Sequence, residues 1–156
     1  MVSLFRIDAR QRHFMTAKVW PTKLGVDTIV VANDAVVGDP LRTSLFRMSA
    51  PPTCELLIMG VDDAAAWLAG ELGGARHIEL LVEGTADALR LVRAVPSLSE
   101  LNVALMSGGE GNAMVTPSLG LAPEDFDNLR AILAAGVDAR AYVTPDDRQV
   151  PMGELL

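Results

Sequence analysis

The 156-residue sequence contains few cysteine, histidine and aromatic residues, and these shortages bear on disulfides, on metal sites and on the composition of the core. A single cysteine, Cys54, cannot form a disulfide within the chain, and its apolar context TCELLIM predicts a buried, unreactive thiol. Two histidines, His13 and His77, are far apart in the sequence and, with one cysteine, argue against a zinc site. No metal and no cofactor is therefore predicted. Aromatic residues make up 4% of the chain, so we expect a core of aliphatic side chains and methionine.

Positive charge is also scarce, because 13 Lys and Arg residues against 20 Asp and Glu residues give a net charge of −7. We expect no nucleic-acid partner, since phosphate backbones attract basic surfaces. No apolar run approaches the ~18 residues of a membrane span, and the first residues, MVSLFRIDAR, lack the basic start and long apolar stretch of a signal peptide. These features predict a cytoplasmic protein, and its length suits one domain over residues 1–156.

Apolar and amphipathic segments alternate along the whole chain. The apolar segments predict strands, and the segments between them, which begin at Asp or Thr and end at Gly or Pro, predict helices. The alternation is typical of an α/β fold with a doubly wound, mostly parallel sheet of about six to seven strands and helices on both faces. The predicted strands are 3–7, 27–33, 54–59, 77–83, 101–106 and 139–144, and the predicted helices lie within 38–50, 61–74, 84–95 and 122–136.

Two segments carry more specific predictions. In the helix within 38–50, Asp39 is the predicted N-cap, and Leu41, Leu45 and Met48 share one face. The glycine-rich segment 106–120 is predicted to be either a functional loop or a short additional strand with turns.

A charged segment built around one histidine follows the first predicted strand. In RIDARQRHF, Arg10 lies three residues and Asp8 five residues before His13. Ligands of doubly wound sheets bind beyond the carboxyl ends of the strands, which favours His13 over His77, a residue at the start of a strand. An imidazole is a nucleophile or proton carrier at neutral pH. The Arg10 guanidinium suits phosphate oxygens and Asp8 can orient the imidazole, although both can equally be solvated loop charges that pair with each other.

Other predicted strand ends supply two further candidates. Asp34 follows the second strand, and Thr85 follows the fourth, where it opens a helix. Each can contact phosphate, or serve only as a turn residue and a helix cap, respectively. A reversal of strand order between the first and fourth strands would bring His13 and Thr85 together. A helix beginning within 15–20 would add amide N–H groups that favour an anion.

The segment SGGEGNAM resembles a glycine-rich phosphate loop only loosely. It lacks the Gly-x-Gly-x-x-Gly spacing and the lysine of a nucleoside-triphosphate loop. A nucleotide-binding sheet protein that uses SGGEG remains the weakest of three alternatives. No Gly-x-Ser-x-Gly elbow is present.

The sequence resembles the B subunit (IIB) of the mannose/fructose/sorbose class of the bacterial sugar phosphotransferase system (PTS). The first motif of that family, Arg-Ile-Asp-x-Arg-x-x-His with Trp seven residues later, is matched from Arg6 to Trp20. The segments VVAND, SAPP and LNV and a Leu-x-Pro-x-Asp helix start follow in the spacing of the family. The resemblance covers essentially the whole chain.

This resemblance implies a doubly wound fold and a phosphohistidine relay. His13 would accept a phosphoryl group from the A subunit (IIA) and pass it to a sugar that arrives through the membrane subunits IIC and IID. Arg10 would stabilise the phosphoryl group in transit, with Asp8, Asp34 and Thr85 as orienting or phosphate-contacting residues. Positioning and charge stabilisation do most of such work. The resemblance also implies peripheral association with a membrane transport complex.

The sequence departs from the family pattern directly after the histidine. Family members usually continue Gly-Gln-Val, whereas this chain has Phe14, Met15 and Thr16. Phe14 therefore joins the residues predicted to orient or contact phosphate, since its bulk changes how the backbone approaches that group. The altered segment motivates an alternative prediction, a regulatory IIB-like module that docks a PTS partner without phosphorylating sugar. Apolar patches on edge strands would permit a homodimer.

Overall fold

The structure is a computed structural model and describes residues 1–10, 19–71 and 74–156. Within those residues strands and helices alternate as the sequence predicts. The strands are β1 (Val2–Asp8), β2 (Thr28–Ala32), β3 (Glu55–Met59), β4 (Ile78–Val82), β5 (Glu100–Leu105), β6 (Ala113–Thr116), β7 (Leu119–Leu121), β8 (Asp138–Ala141) and β9 (Val150–Pro151). The helices are α1 (Val19–Leu24), α2 (Asp34–Val37), α3 (Pro40–Ser49), α4 (Val61–Glu71), α5 (Thr85–Ala94) and α6 (Pro123–Ala134).

Seven strands form one sheet in the order β3-β2-β4-β1-β5-β8-β9. The pairs from β3 to β8 are parallel, and β9 adds an antiparallel edge to β8. The predicted fold class, a doubly wound and mostly parallel α/β sheet, is confirmed. The parallel strands therefore all end at one side of the sheet, called here the carboxyl edge.

Helices cover both faces of the sheet, so most strand residues are apolar on both sides. The larger core lies between one face and α4, α5 and α6, where Ile7, Leu80 and Val103 are fully buried. A smaller cluster on the opposite face contains Ile29 and Val31 of β2 together with Phe46 of α3.

Helix α3 presents the predicted common face of Leu41, Leu45 and Met48 to solvent rather than to the core. These side chains are 71%, 46% and 83% exposed. Phe46, on another side of the helix, is 4% exposed and packs in the smaller cluster. Asp39 caps the helix as predicted, since its Oδ1 accepts hydrogen bonds from the amides of Leu41 and Arg42.

The remaining differences from the predicted elements are local. Helix α1 contains Pro21, and residues 15–18 of the predicted helix start lie outside the described residues. The glycine-rich segment contains the antiparallel pair β6–β7, which is the strand-with-turns alternative. The short elements α2 and β9 were not predicted.

No helix in the described part of the chain is long and apolar enough to cross a membrane.

Candidate functional site

Strand β1 occupies the position at which the sheet changes its winding direction. It lies between β4 and β5, and Ile7 pairs with Val82 on one side and Val103 on the other. With right-handed crossovers, the chain leaves β1 toward one face of the sheet and leaves β4 and β5 toward the opposite face. This geometry opens a crevice at the carboxyl edge beside β1. The predicted reversal between the first and fourth strands is confirmed, whereas His13 and Phe14 lie outside the described residues.

Asp8 ends β1 and organises the first residues beyond it. Its Oδ1 accepts a hydrogen bond from the Arg10 amide at 3.0 Å, and its Oδ2 lies 3.4 Å from Nη2 of Arg6. Asp8 is 7% exposed, so it is not one of two solvated charges. Its contact with Arg10 runs through the main chain, and the Arg10 residue as a whole is exposed.

Arg6 is the buried cation beneath this turn, with 1% exposure. Its Nη1 donates to Oδ1 of Asn102 and to the carbonyl oxygen of Val143, both at 2.9 Å. Its guanidinium lies 5.8 Å from the ring centroid of Trp20 on α1, close enough for a cation–π contact. Trp20 also meets Tyr142 edge-on, with the ring centroids 6.0 Å apart. Arg6 therefore joins β1, β5, the end of β8 and α1.

Glu79 is a buried acid on the same face of the sheet. It pairs with Leu4 in the register of β4 with β1, so its side chain shares the face of Arg6. The residue is 1% exposed, and its Oε2 has no hydrogen-bond partner among the described residues. Burial raises the pKa of Glu79 to about 7, against the opposing charge of Arg6. Burial likewise lowers the pKa of Arg6, which Asp8 and Glu79 oppose.

Asp34 lies at the carboxyl edge as predicted, but both of its carboxylate oxygens already bind groups of the protein. Oδ1 accepts the Val61 amide at 2.9 Å, at the start of α4, and Oδ2 pairs with Nη1 of Arg90 at 2.8 Å. The hydrogen bond from Arg90 lowers the pKa of Asp34. Arg90 also pairs with Asp62 and Asp87. Because β4 separates β2 from β1, Asp34 follows a strand about 10 Å from β1.

Thr85 begins α5 next to β1, and its hydroxyl makes hydrogen bonds to side chains of α6. Oγ1 donates to Oδ1 of Asp125 at 2.6 Å and accepts from Nδ2 of Asn128 at 3.1 Å, both on α6. Oδ2 of Asp125 accepts the Ala122 amide and so caps α6. The hydroxyl thus links α5 to α6, and any contact between Thr85 and phosphate would be made through its main chain.

A second buried polar group fixes the end of β2. Oδ1 of Asn33 accepts the amides of Ala35 and Val36, and its Nδ2 donates to Oε2 of Glu83 at 2.5 Å. Arg42 of α3 reaches the same carboxylate oxygen at 3.4 Å. These contacts tie the carboxyl ends of β2 and β4 together.

Sequence reasoning missed Arg6, Glu79 and Arg90 as site residues. Glu79 had a usable signal, because it is the one charged residue in the otherwise apolar β4, and Arg6 had a weaker one, because it follows the apolar Leu4 and Phe5 and precedes Ile7 within β1. Arg90 had no such signal, since an arginine on the surface of a helix is ordinary.

Neither Cys54 nor the grouping of acidic side chains indicates a second reactive site in the described residues. The Cys54 thiol is partly buried and donates to the Val26 carbonyl at 3.3 Å, and burial raises its pKa, which lowers the thiolate fraction. Across residues 1–10, 19–71 and 74–156, no group of three or more His, Cys, Asp or Glu side chains is placed to hold a metal ion.

Residues 2–156 match the family model described as PTS system sorbose subfamily IIB component. A probable phosphotransferase enzyme IIB component of Streptococcus pyogenes is 28% identical over 162 residues, covering 100% of this chain and 99% of that protein. The sorbose-specific EIIB component of Klebsiella pneumoniae is 27% identical over 149 residues, covering 96% and 91%. The mannose-specific EIIAB component of Escherichia coli is 24% identical, and this chain spans 48% of its length.

Solved structures of IIB proteins have the same fold as this chain. The crystal structure of the IIBSor domain of the Klebsiella pneumoniae sorbose permease superposes with a TM-score of 0.93 at 26% identity, covering 99% of this chain and 95% of that one. The IIB component 1 of the Escherichia coli N-acetylgalactosamine system superposes with a TM-score of 0.89 at 22% identity, a likeness of fold.

Proposed function

This chain belongs to the sorbose subfamily of PTS IIB components, and we propose that it accepts a phosphoryl group on His13 from a IIA partner and passes it to an incoming sugar. Membership makes it a phosphotransferase component of sugar transport. The acceptor residue, the donor and the delivery to sugar are the proposal.

The transfer requires two displacements at phosphorus. In the first, a ring nitrogen of His13 forms an N–P bond while the N–P bond of the donor phosphohistidine breaks and its electron pair returns to the donor imidazole. In the second, a sugar hydroxyl oxygen attacks the phosphorus, the His13 N–P bond breaks, and the released imidazole nitrogen takes up the hydroxyl proton. The protein supplies position and positive charge rather than covalent chemistry.

The observation that carries this proposal is the arrangement of Asp8 and Arg10 at the carboxyl end of β1. Asp8 fixes the Arg10 amide at 3.0 Å, in the crevice between β4 and β5. This turn holds the backbone of Arg10, whose permanently charged guanidinium lies three residues before His13 in the sequence. A guanidinium there can bind the oxygens of a phosphoryl group carried by His13.

Helix α5 places amide N–H groups at this crevice, and its first turn also contains the acidic residue Asp87. It begins directly after β4, beside β1, and its N-cap Gly84 makes no side-chain capping bond within the described residues. The amide groups of its first turn therefore favour an anion at this position.

The proposed partners follow from the family and from the names of relatives. The EIIAB protein of Escherichia coli carries both components in one chain, which supports a IIA partner as phosphoryl donor. Membrane subunits IIC and IID and a sugar substrate complete the proposal, with no nucleic acid. We place the protein on the cytoplasmic side, peripherally associated with its transport complex.

A labelling experiment tests the acceptor. The chain is incubated with a IIA protein that carries radiolabelled phosphate, and we expect an acid-labile, alkali-stable label on this chain. His13→Ala should abolish the label and His77→Ala should keep it, because His77 lies at the opposite edge of the sheet, where its amide donates to Asp27. Labelling that survives in His13→Ala and disappears in His77→Ala would reject the assignment.

A second measurement distinguishes transfer from the regulatory alternative. The phosphorylated chain is added to membranes that contain matched IIC and IID subunits, and sugar phosphate is quantified. The sugar-specific names of the relatives favour turnover. Stable phosphohistidine with no sugar phosphate would favour the regulatory module instead.

A further inference from the structure

Arg6 contacts residues on both sides of segment 11–18. On the near side, its Nη2 lies 3.4 Å from Asp8, whose other oxygen holds the Arg10 amide. On the far side, its guanidinium lies 5.8 Å from the ring centroid of Trp20. One buried side chain therefore contacts both Asp8 at the end of β1 and Trp20 on α1.

The remaining contacts of Arg6 fix it to the rigid sheet. Two hydrogen bonds from Nη1, to Asn102 on β5 and to the Val143 carbonyl beyond β8, determine where the guanidinium lies. Such planar, multidentate contacts are specific to arginine, since the single ammonium of a lysine cannot reproduce them.

Glu79 is a second acidic group on the same face of the sheet as Arg6. Asp8 and Glu79 both act on Arg6 electrostatically, and the carboxylate of Glu79 is buried with Oε2 unpartnered in the described residues. The residues paired with Glu79 across β4 are apolar, Leu4 on β1 and Ile29 on β2. Among the described residues, the charged or titratable groups that act on it are Arg6 and Asp8 from β1 and Cys54 from the segment before β3.

We infer that Arg6 is a positioning residue for phosphoryl transfer, which fixes Arg10 and both flanks of the histidine segment, and that Glu79 is its buried counter-charge. The inference rests on the proposed function. Arg6 is 1% exposed and acts through Asp8 and Trp20 rather than on the phosphoryl group itself. Its loss should therefore change the rate of transfer more than the affinity for the donor.

The test compares Arg6→Lys with Arg76→Lys in single-turnover transfer from phosphorylated IIA. Arg76 is a matched control, because its guanidinium also lies 5.8 Å from a tryptophan ring centroid, that of Trp67, and pairs with Glu55. Arg76 lies at the amino edge of the sheet, the side on which the parallel strands begin, away from the carboxyl end of β1. We expect Arg6→Lys to lower the transfer rate constant roughly 10- to 100-fold with little change in donor KM. Arg76→Lys should stay within about twofold of the parent.

A fluorescence titration tests whether Glu79 changes charge near Trp20, and the pH–rate profile of transfer gives the readout that a merely structural role would not move. In a Trp67→Phe background, Trp20 is the only tryptophan, and we expect its emission to titrate near pH 7, where Glu79 changes charge. Glu79→Gln should remove this step, and His13→Ala should retain it. The same step should disappear from the pH–rate profile of transfer in Glu79→Gln.

The outcomes separate this inference from the proposed function. A parent chain that IIA does not phosphorylate contradicts both. A parent that is phosphorylated while Arg6→Lys reacts as fast contradicts the positioning role alone, as does an equal loss of rate in Arg76→Lys. If Arg6→Lys does not fold, Glu79→Gln decides, and a pH–rate profile of transfer that is unchanged in that variant overturns the inference.

Discussion

Among single residues, the buried charged side chains of β1 and β4 contribute more to the structure of the site than the exposed ones. Arg6 and Glu79 are buried on one face of the sheet, where an unbalanced charge is costly. Such residues are retained only where they make specific contacts, and Arg6 makes them to Asn102 on the neighbouring β5, to the Val143 carbonyl beyond β8 and to Trp20 on α1. Exposed ion pairs such as Lys23–Asp146 contribute little by comparison.

Glu79 should give the stability of the protein an unusual pH dependence. Its pKa is raised from 4.5 to about 7 in the folded state, so the native chain keeps a proton that the unfolded chain loses. The free energy of unfolding should fall as pH rises from about 4.5 to 7, by up to about 3 kcal/mol, and level off above that range. Carboxyl groups with lowered pKa, such as Asp34, act at more acidic pH.

Urea unfolding at several pH values measures this slope. Glu79→Gln should flatten it between pH 4.5 and 7, whereas Glu55→Gln, an exposed carboxylate at the amino edge, should leave it as it is. A slope that is equally steep in Glu79→Gln contradicts the buried-acid assignment.

Thr85→Val should act mainly on stability. The substitution removes the hydroxyl that donates to Asp125 and leaves that carboxylate and Asn128 without their partner on α5. We expect a loss of roughly 1–3 kcal/mol in the free energy of unfolding. Transfer rate measured well below the unfolding midpoint should change little.

Thr43→Val is the matched control, since its hydroxyl donates to the Val36 carbonyl away from α5. If Thr85→Val abolishes transfer while its stability equals that of the control, the hydroxyl contacts phosphate, and its contact with α6 is secondary.

At the scale of elements, the ribbon β6–β7 depends on a close approach of two glycines. A Cβ atom at Gly120 would overlap the backbone nitrogen and Cα of Gly108, and backbone cannot yield as a flexible side chain can. Gly120→Ala should therefore destabilise the protein by about 1–3 kcal/mol, measured as a lower urea midpoint.

Gly70→Ala is the opposite case and serves as its control. Gly70 lies within α4, and a Cβ atom there meets nothing within 4 Å. This substitution should stabilise by about 0.5–1 kcal/mol. Equal effects of the two substitutions would contradict the packing described for the ribbon.

The helices and strands show how far local sequence determines an element. Asp39 followed by Pro40 predicts the start of α3 correctly, because both are local backbone requirements. The side of α3 that faces the core was not predictable, since Phe46 rather than the regular Leu41, Leu45 and Met48 spacing makes the contact. Element α2 depends on the cap Asn33, whose other contact is the distant Glu83, and no local pattern reveals such a pairing.

For the molecule as a whole, the alternation of strand and helix predicted the doubly wound, mostly parallel sheet. That prediction succeeds because crossover handedness and strand burial follow general rules. The partners of Asp34 and Thr85 were not predictable, since Arg90, Val61 and Asp125 come from other helices. Burial of Asp8 depends likewise on Arg6, a contact that only the folded sheet creates.

One continuous sheet joins both cores, and we propose that residues 1–156 form one domain. Calorimetry should then show one unfolding transition whose calorimetric and van't Hoff enthalpies agree. Two resolved transitions, or a van't Hoff enthalpy well below the calorimetric one, would contradict this.

The proposed function requires that this chain carry phosphate on the imidazole of His13. Tandem mass spectrometry of the wild-type chain, phosphorylated by IIA and digested at alkaline pH, locates the phosphate. We expect it on His13, within the peptide that contains this residue. Phosphate on His77, on Cys54 or on a carboxylate such as Asp34 would contradict the proposal.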